Sequence, residues 1–167
     1  MDRYAILRGD TPPPPEPVAI EPKYFYGFDL SLNKDCGTDS GAYNSVVIAI
    51  CHVEDNKIIY DHIEELHTSN YVYGDIVSWL NSKHEAYPML RGIIEHYLGV
   101  PFIQFLKNYG LENVETFQMT QATSIDLKMI FDDAWHEDTV EIPWMTHITD
   151  NIEEAVCLSY YLASRNL

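Results

Sequence analysis

The sequence predicts one mixed α/β domain, built on a five-stranded sheet that is flanked by helices. Three β-rich segments come first and are joined by polar connections, which favours an antiparallel meander. Helical and strand patterns then alternate, which is typical of β-α-β crossovers with parallel pairing. The chain has 167 residues, of which 46% are hydrophobic. That is enough for a single domain with its own core.

The three strands of the meander are predicted from apolar runs rich in β-branched and aromatic residues. Tyr24 to Leu30 is predicted as a strand buried on both faces, and Asn44 to Val53 as the second strand. The polar turn Glu54 to Lys57 then reverses the chain into a third strand, Ile58 to Leu66. These segments form the antiparallel half of the predicted sheet.

The second half of the chain alternates helix and strand. The helical spacing of apolar residues predicts a helix over Val72 to Glu85, and an apolar run predicts a fourth strand over Met89 to Ile94, ending at Glu95. The remaining predicted elements are a helix (Val100 to Glu112), a fifth strand (Val114 to Met119), a helix (Ser124 to Trp135) and a final helix capped by Thr149 or Asp150. The ribonuclease H-like fold has this order of elements, and we predict it for residues 23–167.

Residues 1–22 are predicted to form a separate proline-rich arm, since "GDTPPPPEPVAIEP" can form neither a helix nor a central strand. The N-terminus lacks the apolar core of a signal peptide, and no apolar run reaches the roughly 20 residues of a membrane span. Three cysteines without metal-type spacing, two of them in apolar runs, indicate buried thiols in a reducing compartment. We therefore expect a soluble intracellular protein, in the cytoplasm or in a host-cell interior if the source is viral.

The net charge argues against an ordinary nucleic-acid-binding protein. Twenty-six acidic and ten basic residues give −16, whereas proteins that grip nucleic acid normally present a basic face. The acid-rich segment Ile130 to Ile142 is either a solvated connection or a patch that docks a basic protein or mimics DNA. No glycine-rich nucleotide loop and no GxSxG motif is present, which argues against nucleotide-cofactor and serine-hydrolase chemistry.

Four carboxylates form the candidate catalytic and metal-binding set. Asp29 ends the first strand and Glu95 ends the fourth, and reactive groups gather beyond the carboxyl ends of strands in open sheets. Asp150 and Glu154 follow at i and i+4 on one face of the last helix. Four carboxylates in one crevice would raise each other's pKa unless a cation neutralised them, and such an oxygen-rich site suits Mg²⁺ or Mn²⁺.

Each of these carboxylates also has an ordinary structural interpretation. Asp29 could be a turn former, Glu95 the acid at the start of the next helix, and Asp150 part of a capping pair with Glu153. Glu154 alone could be a solvated helix residue. The functional interpretation is favoured because each acid falls where a single site would need it.

Three segments carry a resemblance to the RuvC-like Holliday junction resolvases, which include poxvirus members. "FYGFDLSLN" resembles the opening strand of that family, "MLRGIIEHYLGVPFIQFLKNYG" its second motif, and "ITDNIEEAVCLSYYLA" its closing helix. On these motifs Asp29, Glu95 and Glu154 match the family's acids. The resemblance implies a metal-dependent homodimer that cuts branched DNA such as four-way junctions, leaving a 5′-phosphate and a 3′-hydroxyl.

The chain departs from the family pattern at two places. The acid that the family carries three residues before Glu154 is here Asn151, so Asp150 could substitute, or His147 and Asp150 could form the working pair. The lysines that usually follow the fifth strand are reduced to Lys128, and the basic DNA-binding surface is missing. The alternative to a nuclease is therefore a catalytically inactive ribonuclease H-like scaffold that binds a basic protein through its acidic surface.

Overall fold

A computed structural model describes residues 23–31, 44–68, 73–95, 103–104, 106–108 and 113–167. The predicted proline-rich arm of residues 1–22 lies outside the described residues, as does Cys36. Cys51 and Cys157 are buried free thiols, as their apolar context predicts. No helix in the described part of the chain is long and apolar enough to cross a membrane.

The described residues form an α/β domain, as the sequence predicts. The strands are β1 (Tyr24–Ser31), β2 (Asn44–Glu54), β3 (Lys57–Thr68), β4 (Met89–Glu95), β5 (Val114–Phe117) and β6 (Val140–Glu141). The helices are α1 (Tyr73–Ala86), α2 (Gln121–His136) and α3 (Asp150–Ser164). Residues 103–104 and 106–108, between β4 and β5, are also helical, which agrees with the helix predicted over residues 100–112.

The sheet has the order β5-β4-β1-β2-β3-β6, and its topology confirms the ribonuclease H-like prediction. Strands β1, β2 and β3 pair antiparallel, while β4 pairs parallel to both β1 and β5. Asp55 and Asn56 connect β2 to β3 with φ of 51° and 61°. Positive φ at both central residues is the requirement of a two-residue turn that matches the twist of its strands. The predicted meander and crossovers are thus present.

The sheet has six strands rather than the predicted five. The additional strand β6 pairs parallel to β3 at Ile58 and Ile59, and it lies inside the acid-rich segment that was expected to be a connection or a patch. Residues 130–136 of that segment form the C-terminal end of α2. A strand of two residues shows no periodicity of its own, and pairing with β3 and burial of Val140 hold it in place.

Helix α2 begins at Gln121, three residues before the predicted start. The Thr123 backbone N–H donates to Thr120 Oγ1 at 3.1 Å, and the Thr120 N–H donates to Thr123 Oγ1 at 2.7 Å. This reciprocal capping satisfies two amides that would otherwise lack partners at the helix start. The sequence pattern did not predict this cap because Thr123 stands where a capping box usually has Glu or Gln.

Strand β1 lies in the interior of the sheet and is covered on both faces. Tyr26, Phe28 and Leu30 belong to the core under α1, whereas Phe25 belongs to the core under α3. Because successive side chains point to opposite faces, Asp29 is on the α3 face. The core residues of β1 are at most 4% exposed. Helix α3 therefore covers the face of the sheet on which Asp29 lies.

Helix α3 is held against β1 by a close backbone approach at Gly27. A Cβ at Gly27 would lie 2.4 Å from the Ala155 carbonyl oxygen and 2.7 Å from the Ser159 amide nitrogen. The buried Tyr60 hydroxyl of β3 donates to the Val156 carbonyl at 2.6 Å and lies 2.8 Å from Ser159 Oγ. These contacts fix the position of α3 along the sheet.

Candidate active site

Asp29 faces α3 and lies near the carboxyl end of β1, two residues before the strand ends at Ser31. Its Cα partner in β2 is Val47, which is only 1% exposed. Strand β1 is bonded to β2 on one side and to β4 on the other, so the backbone that carries Asp29 is constrained by both neighbours. The carboxylate that the sequence places at the end of its most apolar strand is thus fixed at the edge of the core.

Glu95 ends the neighbouring strand on the same side. Strands β1 and β4 are parallel, and Phe28 is paired with Ile94, so both strands end at the same edge of the sheet. Ile93 belongs to the core under α3, and alternation therefore places Glu95 on that face too. Burial, together with the charge of Asp29, raises the pKa of Glu95. The predicted proximity of Asp29 and Glu95 is present in the structure.

Glu154 reaches the same place from α3, one residue before the contact of Ala155 with Gly27. Its carboxyl is hydrogen bonded to Asp29. Burial, that hydrogen bond and the charges of Asp29 and Glu95 raise the pKa of Glu154 to about 9, although Lys128 opposes the rise. The raised pKa favours the protonated form of Glu154, in which its carboxyl can donate the hydrogen bond to Asp29.

Asp150 lies one turn before Glu154 and is exposed. Together with Lys128, Glu153 and Glu154 it lines a cleft of about 150 Å³ between α2 and α3. Lys128 Nζ lies 3.3 Å from a Glu153 carboxylate oxygen. The structure thus brings three of the four predicted carboxylates together and leaves Asp150 at the rim of the adjoining cleft.

The structure also places Asn151 and His147, the other two residues considered for the site near the start of the last helix. The Asn151 side-chain amide donates to Glu65 Oε2 at 2.7 Å and accepts a hydrogen bond from the Thr149 hydroxyl. His147 is exposed, with Nδ1 3.4 Å from Thr146 Oγ1. Among the described residues, Glu154 is therefore the acid of the last helix that contacts Asp29.

Glu65 is an acid on the α3 face, two strands from Asp29, that the sequence pattern does not reveal. Asp29 is paired with Val47, and Val47 with Glu65, so Glu65 lies in the same row of the sheet on the α3 face. Counting back from the β2–β3 turn would pair Val47 with Glu64, but a bulge between Ile50 and Cys51 shifts the register by one residue. Such a shift exchanges the two faces of a strand, and no pattern in the sequence marks it.

The donor set at the site suits a hard divalent cation. Among the described residues, no three His, Cys, Asp or Glu side chains are arranged as a ready metal site. The oxygen ligands of Asp29, Glu95 and Glu154 are nevertheless the type that Mg²⁺ prefers. The hydrogen bond between Asp29 and Glu154 brings their carboxyl groups together, and a cation held by both would neutralise them.

Structural comparison relates this fold to phage nuclease domains. No protein-family profile and no curated protein sequence matches the chain. The large terminase nuclease from the thermophilic phage G20c superposes with a TM-score of 0.65 at 14% identity, covering 84% of this chain and 82% of that one. The same nuclease with bound magnesium gives a TM-score of 0.60 at 13% identity, with 84% and 82% covered. At these identities the likeness establishes the ribonuclease H-like fold.

A third match extends to a longer protein, the large terminase from another thermophilic bacteriophage. It gives a TM-score of 0.53 at 10% identity, covering 71% of this chain and 28% of that one. The matches support the ribonuclease H-like fold that the resolvase resemblance implied. No family match supports a RuvC-like resolvase in particular.

Proposed function

We propose that the protein is a metal-dependent DNA endonuclease. The observation that carries this proposal is the convergence of three acids at the carboxyl ends of β1 and β4. They are Asp29 of β1, Glu95 of β4 and Glu154 of α3. Burial and the neighbouring acids raise the pKa of Glu95 and of Glu154 there. Such a cluster costs stability, and clusters of this kind are found preferentially at functional sites. Perturbed carboxylates at the carboxyl ends of strands are typical of active sites.

The acids would act by holding Mg²⁺ or Mn²⁺, with Asp29 and Glu154 exchanging their shared proton for the cation. Bound divalent ions supply a water activated for attack on phosphorus and stabilise the leaving oxygen. Attack breaks the bond from phosphorus to the 3′-oxygen and leaves a 5′-phosphate and a 3′-hydroxyl. Glu95 and Asp29, anchored on paired strands, would set the position of the site relative to the scissile phosphate.

The narrower proposal is that the substrate is branched DNA such as a four-way junction and that the enzyme is a homodimer. This rests on the motif resemblance around Asp29, Glu95 and Glu154. A junction offers two symmetric cuts, which a two-fold dimer matches. The similar phage structures are large terminase nucleases, so a linear duplex is the substrate to compare with the junction.

The test is a cleavage assay on a four-way junction, a linear duplex and a single strand, each with Mg²⁺ or Mn²⁺. We expect Asp29→Asn and Glu154→Gln to lose at least about a hundredfold in rate, as when a transition-state stabiliser is removed. Asp126→Asn, an exposed acid of α2 outside the site, is the matched control and should cut normally. Cutting by Asp29→Asn at the wild-type rate would contradict the proposal, and preference for the linear duplex would contradict only the junction part.

A second candidate function is a scaffold that binds a basic protein, and the surface of α2 favours it. Ile125, Met129 and Ile130 are 52%, 59% and 48% exposed, and the acids Asp126 and Asp133 of the same helix are also exposed. An apolar ridge with an acidic border suits a basic amphipathic partner. Binding of a basic amphipathic peptide that is lost in Met129→Ser, with no cleavage of any DNA by the wild type, would favour this function over the nuclease.

A further inference from the structure

We propose a DNA-backbone contact at the β5 edge of the sheet. It is formed by Arg91 and Arg165, which both pair with Glu115, and by Lys107 of the adjoining groove; these four side chains are here named the β5-edge cluster. The proposal rests on the proposed nuclease function and identifies the surface that would hold the phosphates beside the cut. It addresses the difficulty that a chain with a net charge of −16 has in approaching DNA.

The cluster has a defined geometry. Glu115 Oε2 accepts from Arg91 Nη2 at 3.2 Å, and Glu115 Oε1 accepts from Arg165 Nη2. The Arg165 guanidinium also lies over the Tyr161 ring, 4.9 Å from its centroid. Arg91, Lys107 and Glu115 line an open groove of about 470 Å³. The two arginines are thus oriented by Glu115, yet they remain 46% and 40% exposed.

The balance of charge distinguishes this cluster from the lysine ion pairs elsewhere in the described residues. Lys57 pairs with Glu141, Lys128 with Glu153, and Lys83 with Glu64, so in each of those pairs one carboxylate faces one ammonium group. In the β5-edge cluster two arginines pair with the one carboxylate of Glu115, and Lys107 lines the same groove. This leaves two positive charges among the four side chains. Phosphate recognition favours arginine, whose planar group donates two parallel hydrogen bonds.

A bound duplex is long enough to reach from the β5-edge cluster to the proposed site at Glu154. Arg165 caps the C-terminal end of α3 and follows Glu154 by eleven residues. At about 1.5 Å per residue this corresponds to about 16 Å along the helix, or the rise of about five base pairs. A backbone held at the β5 edge can therefore extend towards Glu154, where a bound cation would offset the negative charge of the acids.

The test measures binding of a fluorescein-labelled linear duplex by anisotropy in EDTA, between about 50 and 200 mM salt. We expect the double variant Lys107→Gln/Arg165→Gln to bind about tenfold or more weakly and to lower the salt slope by about 1 to 2, since each phosphate contact contributes about 0.9. Glu115→Gln removes the carboxylate at the centre of the cluster and should bind more tightly than wild type. A merely structural ion-pair network would not produce that gain.

Matched controls lie at the opposite edge of the sheet. Lys57→Gln and Glu141→Gln break a pair of similar exposure beside β6, and both should leave the affinity and the salt slope unchanged. Wild-type affinity in Lys107→Gln/Arg165→Gln, or equal losses in Lys57→Gln, would overturn the proposed contact even if the protein cuts DNA. Weakened binding in a protein that cuts no DNA would instead overturn the nuclease and keep the contact.

Discussion

The two faces of the sheet differ in how they hold their helices. The core under α1 consists of apolar side chains such as Phe28, Ile48 and Leu80, each fully buried. The core under α3 adds a buried polar network of Tyr60 and Ser159, together with a backbone approach at Gly27 that admits no side chain. Apolar contacts alone stabilise a helix against a sheet, whereas the polar network and the close approach also fix its position.

The difference matters because the proposed site is assembled on only one face. Asp29 and Glu95 face α3, and Glu154 belongs to α3 itself. A small shift of α3 along the sheet would therefore separate Glu154 from Asp29, while the same shift of α1 would leave the three acids in place. Catalytic groups must be held to within about half an ångström. We infer that the polar contacts of the α3 face position the site and that the α1 face contributes mainly stability.

The largest expected effect comes from truncating one buried leucine on each face. Leu158→Ala and Leu80→Ala should each lower the free energy of unfolding by about 2 to 5 kcal/mol, because both side chains are fully buried. Cleavage, measured well below both melting temperatures, should fall only in Leu158→Ala. Equal loss of cleavage in the two variants at matched stability would contradict the assignment of separate roles to the faces.

A smaller loss of stability, with a large effect on the site, is expected from Gly27→Ala. The new methyl group would overlap the backbone of α3, so the helix must move, at a cost of about 1 to 3 kcal/mol. Gly92→Ala is the matched control, since its Cβ would meet the far end of the Tyr26 side chain rather than backbone. Thermal unfolding and cleavage are measured for both variants. Full cleavage by a folded Gly27→Ala would show that the site does not require the close approach of α3 to β1.

Removing one hydroxyl tests the polar network itself. Tyr60→Phe removes one of the two side-chain donors to the Val156 carbonyl, the other being Ser159 Oγ, and it should lower the free energy of unfolding by about 1 to 2 kcal/mol. If the network positions α3, the rate of cleavage should fall while the affinity for DNA stays constant. Denaturant titration and steady-state kinetics give the two readouts, and an unchanged rate would leave the network with a stabilising role only.

The smallest expected effect is a pH dependence of stability without metal. The pKa of Glu154 is raised to about 9 in the folded protein, whereas an unfolded glutamate titrates near its ordinary value of about 4.3. Between these values the folded state binds the extra proton, so the free energy of unfolding falls as the pH rises. We expect a fall of about 1 kcal/mol between about pH 7 and about pH 8 in wild type, because one extra bound proton corresponds to about 1.4 kcal/mol per pH unit. Unfolding is measured in urea with EDTA. Glu154→Gln should show a shallower slope, and an equal slope would contradict the shared proton.

Much of the fold was predictable because its signals are local. The long strands β1 to β4 and the helices α1 and α3 follow from apolar periodicity and turn residues, and Asp29 and Glu95 follow from the ends of β1 and β4. The strand β6 exists only through pairing with β3, and the early start of α2 depends on a Thr120–Thr123 cap. Neither is set by a pattern of apolar residues.

The candidate site was less predictable than the fold, for reasons of geometry. Asp150 and Glu154 share a helical face, but only Glu154 is level with Gly27, where α3 comes closest to β1. Glu65 lies on the α3 face because of a bulge between Ile50 and Cys51, and the sequence pattern does not predict that bulge. The strand ends that carry Asp29 and Glu95 were predicted, whereas the positions of Asp150 and Glu65 depend on how two elements are offset along each other, which the sequence does not show.

The most direct test of the central claim is calorimetric titration of Mg²⁺ and Mn²⁺ into wild type, Asp29→Asn and the control Asp126→Asn. The account predicts saturable binding to wild type and Asp126→Asn, with release of a proton as the cation replaces the one between Asp29 and Glu154. It predicts no such binding to Asp29→Asn, whose stability should equal or exceed that of wild type because the repulsion between the charges of Asp29 and Glu95 is relieved. Absence of saturable binding to the wild type at millimolar metal would contradict the metal-dependent nuclease.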